Sequence, residues 1–155
     1  MPFQIHALSA DQFHHLFKMT DSELTARNAR RQLVNSNPGT PCRVSLKDAE
    51  IGEEVILVHY EHQPEDTPYR ASHGIFVRQG AQQAFPEQGQ VPELFRHRLM
   101  SVRGFDKNHL MIDADAVEGV ALEETINRLF ENSDVEYLHL HNAKPGCYAA
   151  KVTRA

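Results

Sequence analysis

The chain has 155 residues, 41% hydrophobic and 24% charged, and carries a formal net charge of −5. That length and composition describe one ordinary globular domain with a real core, and they exclude a disordered chain. The acidic balance argues against non-specific nucleic-acid binding, which draws on positive charge, and no apolar run approaches the roughly 20 residues of a membrane helix.

The opening stretch "MPFQIHALSADQFHHLFKMT" lacks the basic start and continuous apolar core of a signal peptide, so a cytoplasmic location is expected. Cys42 and Cys147, the only two cysteines, are then expected as free thiols. The basic clusters "RNARR" and "RHR" read as solvated surface.

In chain order, "FQIHAL" (3–8) reads as a first strand. Ser9 is placed to cap a short helix whose Phe13, Leu16 and Phe17 share a face. "TDSE" at 20–23 matches a capping box and predicts a second short helix around Leu24. "RRQLVN" is extended and "NSNPGTPC" (35–42) is a loop by its turn residues.

The middle is β-rich. "EEVILVHYE" (53–61) holds four consecutive aliphatic residues, a strand covered on both faces, and "SHGIFVR" (72–78) is the next. "RLMSVRGFD" and "HLMID" form a hairpin around "DKN". "VALEETINRLFEN" has the clearest helical period, with Leu122, Ile126, Leu129 and Phe130 on one side. A closing pair of strands follows. Strands that run in hairpins predict an α+β fold: a single domain over 1–155, a mostly antiparallel sheet, two short N-terminal helices and one longer helix before the last hairpin.

The last hairpin, "YLHLHNAKPGCYAAKV" (137–152), is the first candidate site. Alternate strand residues share a face, so Tyr137, His139 and His141 point one way and Leu138 and Leu140 the other. An odd-length connection through "NAKPG" sets the leucines beside Ala150 and Tyr148. It also brings Cys147 opposite His141, gathering His139, His141, Cys147 and Lys151 on one surface. Imidazole and thiolate suit zinc, nickel or iron, so a metal is one reading. A second makes Cys147 a nucleophile whose thiol pKa His141 lowers. The bland reading, the polar outer face of a two-stranded ribbon, ranks above both.

A second candidate is "HYEHQPEDTPYRASH" (59–73), where Arg70 and His73, held on a rigid loop, suit a carboxylate or phosphate ligand. The competing reading pairs Arg70 with Asp66 or Glu65 to hold the loop. In "DADAVEG" (113–119) the calcium-loop pattern fails at Val117. Asp113 and Asp115 are expected instead to solvate a strand end and to complement the N-terminus of the following helix. "NPGTPCRVSL" and "NAKPGCYAAKV" echo one another, a hint that the two cysteines enter the fold alike.

"PCRVSL", "YEHQPEDTPYR", "SHGIFVR" and "HNAKPGCYAAKV" resemble a bacterial family catalogued as domain of unknown function 1203, and the likeness runs over nearly the entire chain. The resemblance implies a bacterial cytoplasmic protein and supplies no activity, cofactor or catalytic residue. The expectation that emerges is a pocket walled by the last hairpin (His139, His141, Cys147) and by His62, Arg70 and His73, binding or acting on a small anionic ligand. The alternative is a non-catalytic interaction or structural protein with no bound cofactor. Neither reading involves nucleic acid or a membrane.

Overall fold

The structure, a computed structural model, describes residues 2–155. Its strands are β1 (Phe3–His6), β2 (Ala29–Leu33), β3 (Glu54–Gln63), β4 (Ala71–Arg78), β5 (Leu99–Phe105), β6 (Met111–Glu118), β7 (Tyr137–Asn142) and β8 (Tyr148–Arg154). The α-helices are α1 (Asp21–Ala26), α2 (Glu93–Arg96) and α3 (Leu122–Leu129). The class is α+β as expected: a five-stranded sheet in the order β1-β8-β7-β5-β6 and a three-stranded sheet in the order β2-β3-β4.

The chain gathers into two compact units built from separated stretches. One takes the chain through His6, Glu61–His73 and Phe85–Ala155, and the other Ala7–Tyr60 and Gly74–Ala84. In the second unit Ser9 accepts from the Asp11 amide, but the segment it caps forms two 3₁₀ turns (Ala10–Gln12 and His14–Lys18) rather than an α-helix. Thr20 and Glu23 close the capping box of α1 as the sequence predicts. Phe13, Leu16, Leu24, Val44, Ile56, Val58, Ile75 and Val77 make its core, with Cys42 among them. Val55 and Ile56, adjacent on β3, are both buried, as a doubly covered strand requires.

The first unit holds the five-stranded sheet. On one of its faces Met100, Val102, Leu138, Leu140, Ala150 and Val152 are buried, and α3 lays its apolar stripe of Leu122, Ile126 and Leu129 there. Arg154 ties the end of β8 to the helix exit by donating to the carbonyls of Phe130, Asn132 and Val135. The short α2 was not legible in the sequence. It packs so tightly that a β-carbon at Gly119 would sit 1.6 Å from the Phe95 carbonyl oxygen. Asp115 corrects its expectation. β6 continues to Glu118, and the Asp115 carboxylate pairs with Arg128 in the last turn of α3, not with the helix N-terminus.

The last hairpin also departs from its expected register. Leu138 pairs with Val152, His139 with Lys151 and Leu140 with Ala150, and then the ladder shifts so that His141 pairs with Tyr148. Ala149 is the extra residue of a β-bulge. Beyond the bulge the side chains of β8 exchange faces, so Tyr148 joins the histidines. Cys147 falls in with Asn142, whose amide donates to the Cys147 carbonyl at 2.9 Å and whose Nδ2 donates to Sγ at 3.5 Å.

Candidate functional site: a histidine face on the five-stranded sheet

The face of this sheet turned away from α3 carries the candidate site. Alternation on β7 puts Tyr137, His139 and His141 there, and pairing with β5 adds Phe105, Arg103 and Ser101 opposite them. On the other side β8 contributes Thr153, Lys151 and, through the bulge, Tyr148. One cross-strand row therefore reads Arg103, His139, Lys151, His6 over four adjacent strands. The row contains no acid, and a histidine stands between its two permanent cations, Arg103 and Lys151.

The segment 61–73 covers part of this face. The His62 ring stacks on Tyr148 at 5.3 Å and 12°, and meets His141 edge-on at 4.9 Å and His139 at 6.0 Å. Next to it, Gln63 Nε2 donates to the Tyr137 hydroxyl at 3.0 Å, and His109 Nδ1 lies 2.8 Å from that same oxygen. Phe105 stacks on Tyr137 at 5.3 Å. All six residues of β7 are consequently buried, with His139 4% and His141 1% exposed.

Burial without compensating charge sets the electrostatics. Desolvation, assisted by the neighbouring cations, holds His139 and His141 down at about 3 and His62 at about 4. For His62 the next contributions are Arg103 and His73, with Glu61 opposing them. For His139 they are His141, His62, Lys151 and Arg103. His141 retains a partner in the Gly146 carbonyl oxygen, 2.9 Å from Nδ1. The Nδ1 atoms of His62 and His139 are buried with no hydrogen-bond partner. Such orphan atoms are uncommon in folded proteins and ask for an explanation.

Arg103 is the group that the sequence did not point to. It is half-buried, its Nε donates to Ser101 Oγ at 3.2 Å, and burial pulls its guanidinium below the usual arginine range. Lys151 lies over the Tyr137 ring at 4.6 Å. Among the described residues neither cation has a carboxylate partner. Arginines of the other unit behave differently: Arg31 pairs with Glu54 and Arg78 with Glu53. The only early clue was the alternation of Ser101, Arg103 and Phe105 in "SVRGF", which acquires meaning once β5 is known to lie beside β7.

Of the expected site residues, His62, His139 and His141 meet, and His73 is close enough to act on the titration of His62 and His141 while itself exposed. Arg70 does not join them through its charge. Its Nε donates to Glu61 at 3.0 Å, with Asp66 adding to the attraction, so the loop pairing exists but uses Glu61 rather than Asp66 or Glu65 as its direct partner. Cys147 is buried, faces Asn142, and the residue opposite His141 is Tyr148, which removes the juxtaposition on which a Cys147–His141 pair depended. Both cysteines are free thiols.

The three clustered imidazoles present faces and edges to one another. Among the described residues no group of three His, Cys, Asp or Glu side chains is arranged to hold a metal ion. Two open depressions lie elsewhere, one around Asn28, Arg30 and His59 and one over the outer face of α3, and neither includes the clustered histidines. Among the described residues no helix is long and apolar enough to cross a membrane.

No curated protein and no solved structure matches the chain. The model of a family described as "Protein of unknown function (DUF1203)" matches residues 39–154. The match takes in every residue of the cluster from His62 to Lys151 and all the motifs that carry the resemblance, and leaves out His6. The chain belongs to the DUF1203 family.

Proposed function

We propose that this is a cytoplasmic protein that binds a small anionic ligand on the histidine face, with Arg103 as its principal anchor. The observation that carries the reading is the row Arg103–His139–Lys151, set across three paired strands with no acid among them. Two cations with no acid between them gain stability when a negative charge sits over them. Arg103 presents the free ends of its guanidinium fork, which bonds two oxygens of an oxyanion at once. His62 and His73 approach from the covering segment and supply further nitrogen donors. The small extent of the basic row and the overall charge of −5 favour a compact anion over a nucleic acid. Two free, buried thiols fit a reducing compartment.

The test is thermal unfolding with acetate, succinate, sulfate and phosphate against chloride at constant ionic strength. At least one anion is expected to raise the midpoint saturably, and Arg103→Gln to abolish the rise. If no anion stabilises the wild type beyond chloride, or if Arg103→Gln responds as the wild type does, the binding reading fails. The non-catalytic interaction or structural role would then stand.

A further inference from the structure

Resting on that binding reading, we propose that the anion is a phosphate group, either inorganic phosphate or the phosphate of a small monoester, and that it binds together with a proton taken up by the imidazoles around it. Three observations lead there. The first is the distribution of donors. Arg103 and Lys151 rise from the sheet, whereas His62 and His73 come from the segment that covers it. A carboxylate offers two oxygens in one plane and is satisfied by the guanidinium alone. A tetrahedral oxyanion offers oxygens in several directions and engages both sets.

The second is the pair of orphan nitrogens. A neutral imidazole has one N–H and one lone pair, so the unpartnered Nδ1 atoms of His62 and His139 can be satisfied in two ways. Either the ligand donates a proton to a lone pair, or the imidazole becomes protonated and donates from both nitrogens. A phosphate monoester, with a second pKa near 6, carries an exchangeable proton in the range where imidazole also titrates. A carboxylate, whose proton is lost near pH 4, has none to donate at neutral pH and leaves only the second route open.

The third is the charge that surrounds these rings. His62 faces Arg103 from β5, His73 from β4, His139 and His141 from β7, Tyr148 from β8 and Glu61 from its own strand. His139 additionally faces Lys151, Phe105 and Tyr137. Glu61 is the one acid in this set, and it is engaged by Arg70. In the empty site burial, assisted by the cations, holds the imidazoles neutral. A dianion reverses the sign of the local field and returns a proton to them, so binding and proton uptake are linked.

Isothermal titration in two buffers of different ionisation enthalpy counts that proton. Sulfate serves as the probe of the protein's own titration, since it stays a dianion throughout, and inorganic phosphate, glycerol phosphate and succinate are compared with it. Sulfate is expected to bind about tenfold more tightly at pH 6 than at pH 7.5, with uptake approaching one proton. Phosphate ligands should bind more tightly than succinate at both pH values. His62→Gln should keep weakened binding while losing most of the proton uptake, and Arg103→Gln should lose binding. Tighter binding of glycerol phosphate than of inorganic phosphate identifies a monoester as the ligand, and the reverse order identifies the free ion. If succinate binds through Arg103 and the phosphates do not, or if phosphate binds without proton uptake, this proposal is overturned while anion binding stands. If none of the four anions binds, both readings fail together.

Discussion

Lowering the pH from 7 to 5 is the perturbation that the histidine face answers most directly. In the unfolded chain each imidazole protonates around 6.5, whereas in the fold His139 and His141 stay neutral down to about 3. The fold disfavours the charged form, so the unfolded state binds more protons throughout that interval. Stability is therefore complete above the unfolded value and is lost as the pH falls below it. For a group with these two values the loss between pH 7 and pH 5 is about 2 kcal/mol, so the buried pair together lose about 4 kcal/mol. The slope at pH 5 approaches two protons, or about 3 kcal/mol per pH unit. His62 acts in the same direction. Carboxylates held low by their partners, such as Glu53 beside the Glu50 amide and Arg78, lose their contribution only further down in pH. Urea unfolding at pH 7, 6 and 5, in chloride to keep anion binding out, measures the slope. His139→Gln should remove about one proton from it. A wild-type stability that is flat over this interval, or a slope that His139→Gln leaves intact, would refute the account of buried neutral imidazoles.

Gly119→Ala forces a methyl group against the Phe95 carbonyl and should cost at least about 2 kcal/mol in chemical denaturation; retention of full stability would mean that α2 yields without penalty. Thr20→Ala opens the capping box of α1 and should cost about 1 kcal/mol by the same measurement, whereas Thr20→Ser should cost little. Cys42 and Cys147, 0% and 8% exposed, should both alkylate slowly at pH 7 and rapidly only when urea unfolds the protein. Fast modification of Cys147 in the native state, slowed in His141→Ala, would instead restore the expected thiol–imidazole pairing.

Local signals were read correctly where they were complete. The capping box at Thr20 and Glu23, the 3.6-residue stripe of Leu122, Ile126 and Leu129, and the turn at Asp106 each involve a few neighbouring residues, so their physics is contained in a short window. The meeting of His62 with His139 and His141 was also anticipated, because two polar histidine-bearing segments of a small sheet have few places to go. What failed was non-local. Counting alternate residues back along β8 puts Cys147 beside His141, and a single bulge at Ala149 inverts that count. Arg103 is not legible in the sequence, because its significance lies in lacking an acid partner, which no one-dimensional pattern displays. Arg70 stood beside two acids in its loop and chose a third, Glu61, on the antecedent strand.

The outer face of α3 turns Glu123 and Glu124 to solvent, whereas Arg103 and Lys151 rise from the opposite face of the five-stranded sheet. The net charge of −5 therefore says little about what a small ion meets at close range. A diffusing anion is repelled by the molecule's total charge at a distance and drawn by the Arg103–Lys151 row close in, and added salt weakens the distant repulsion first.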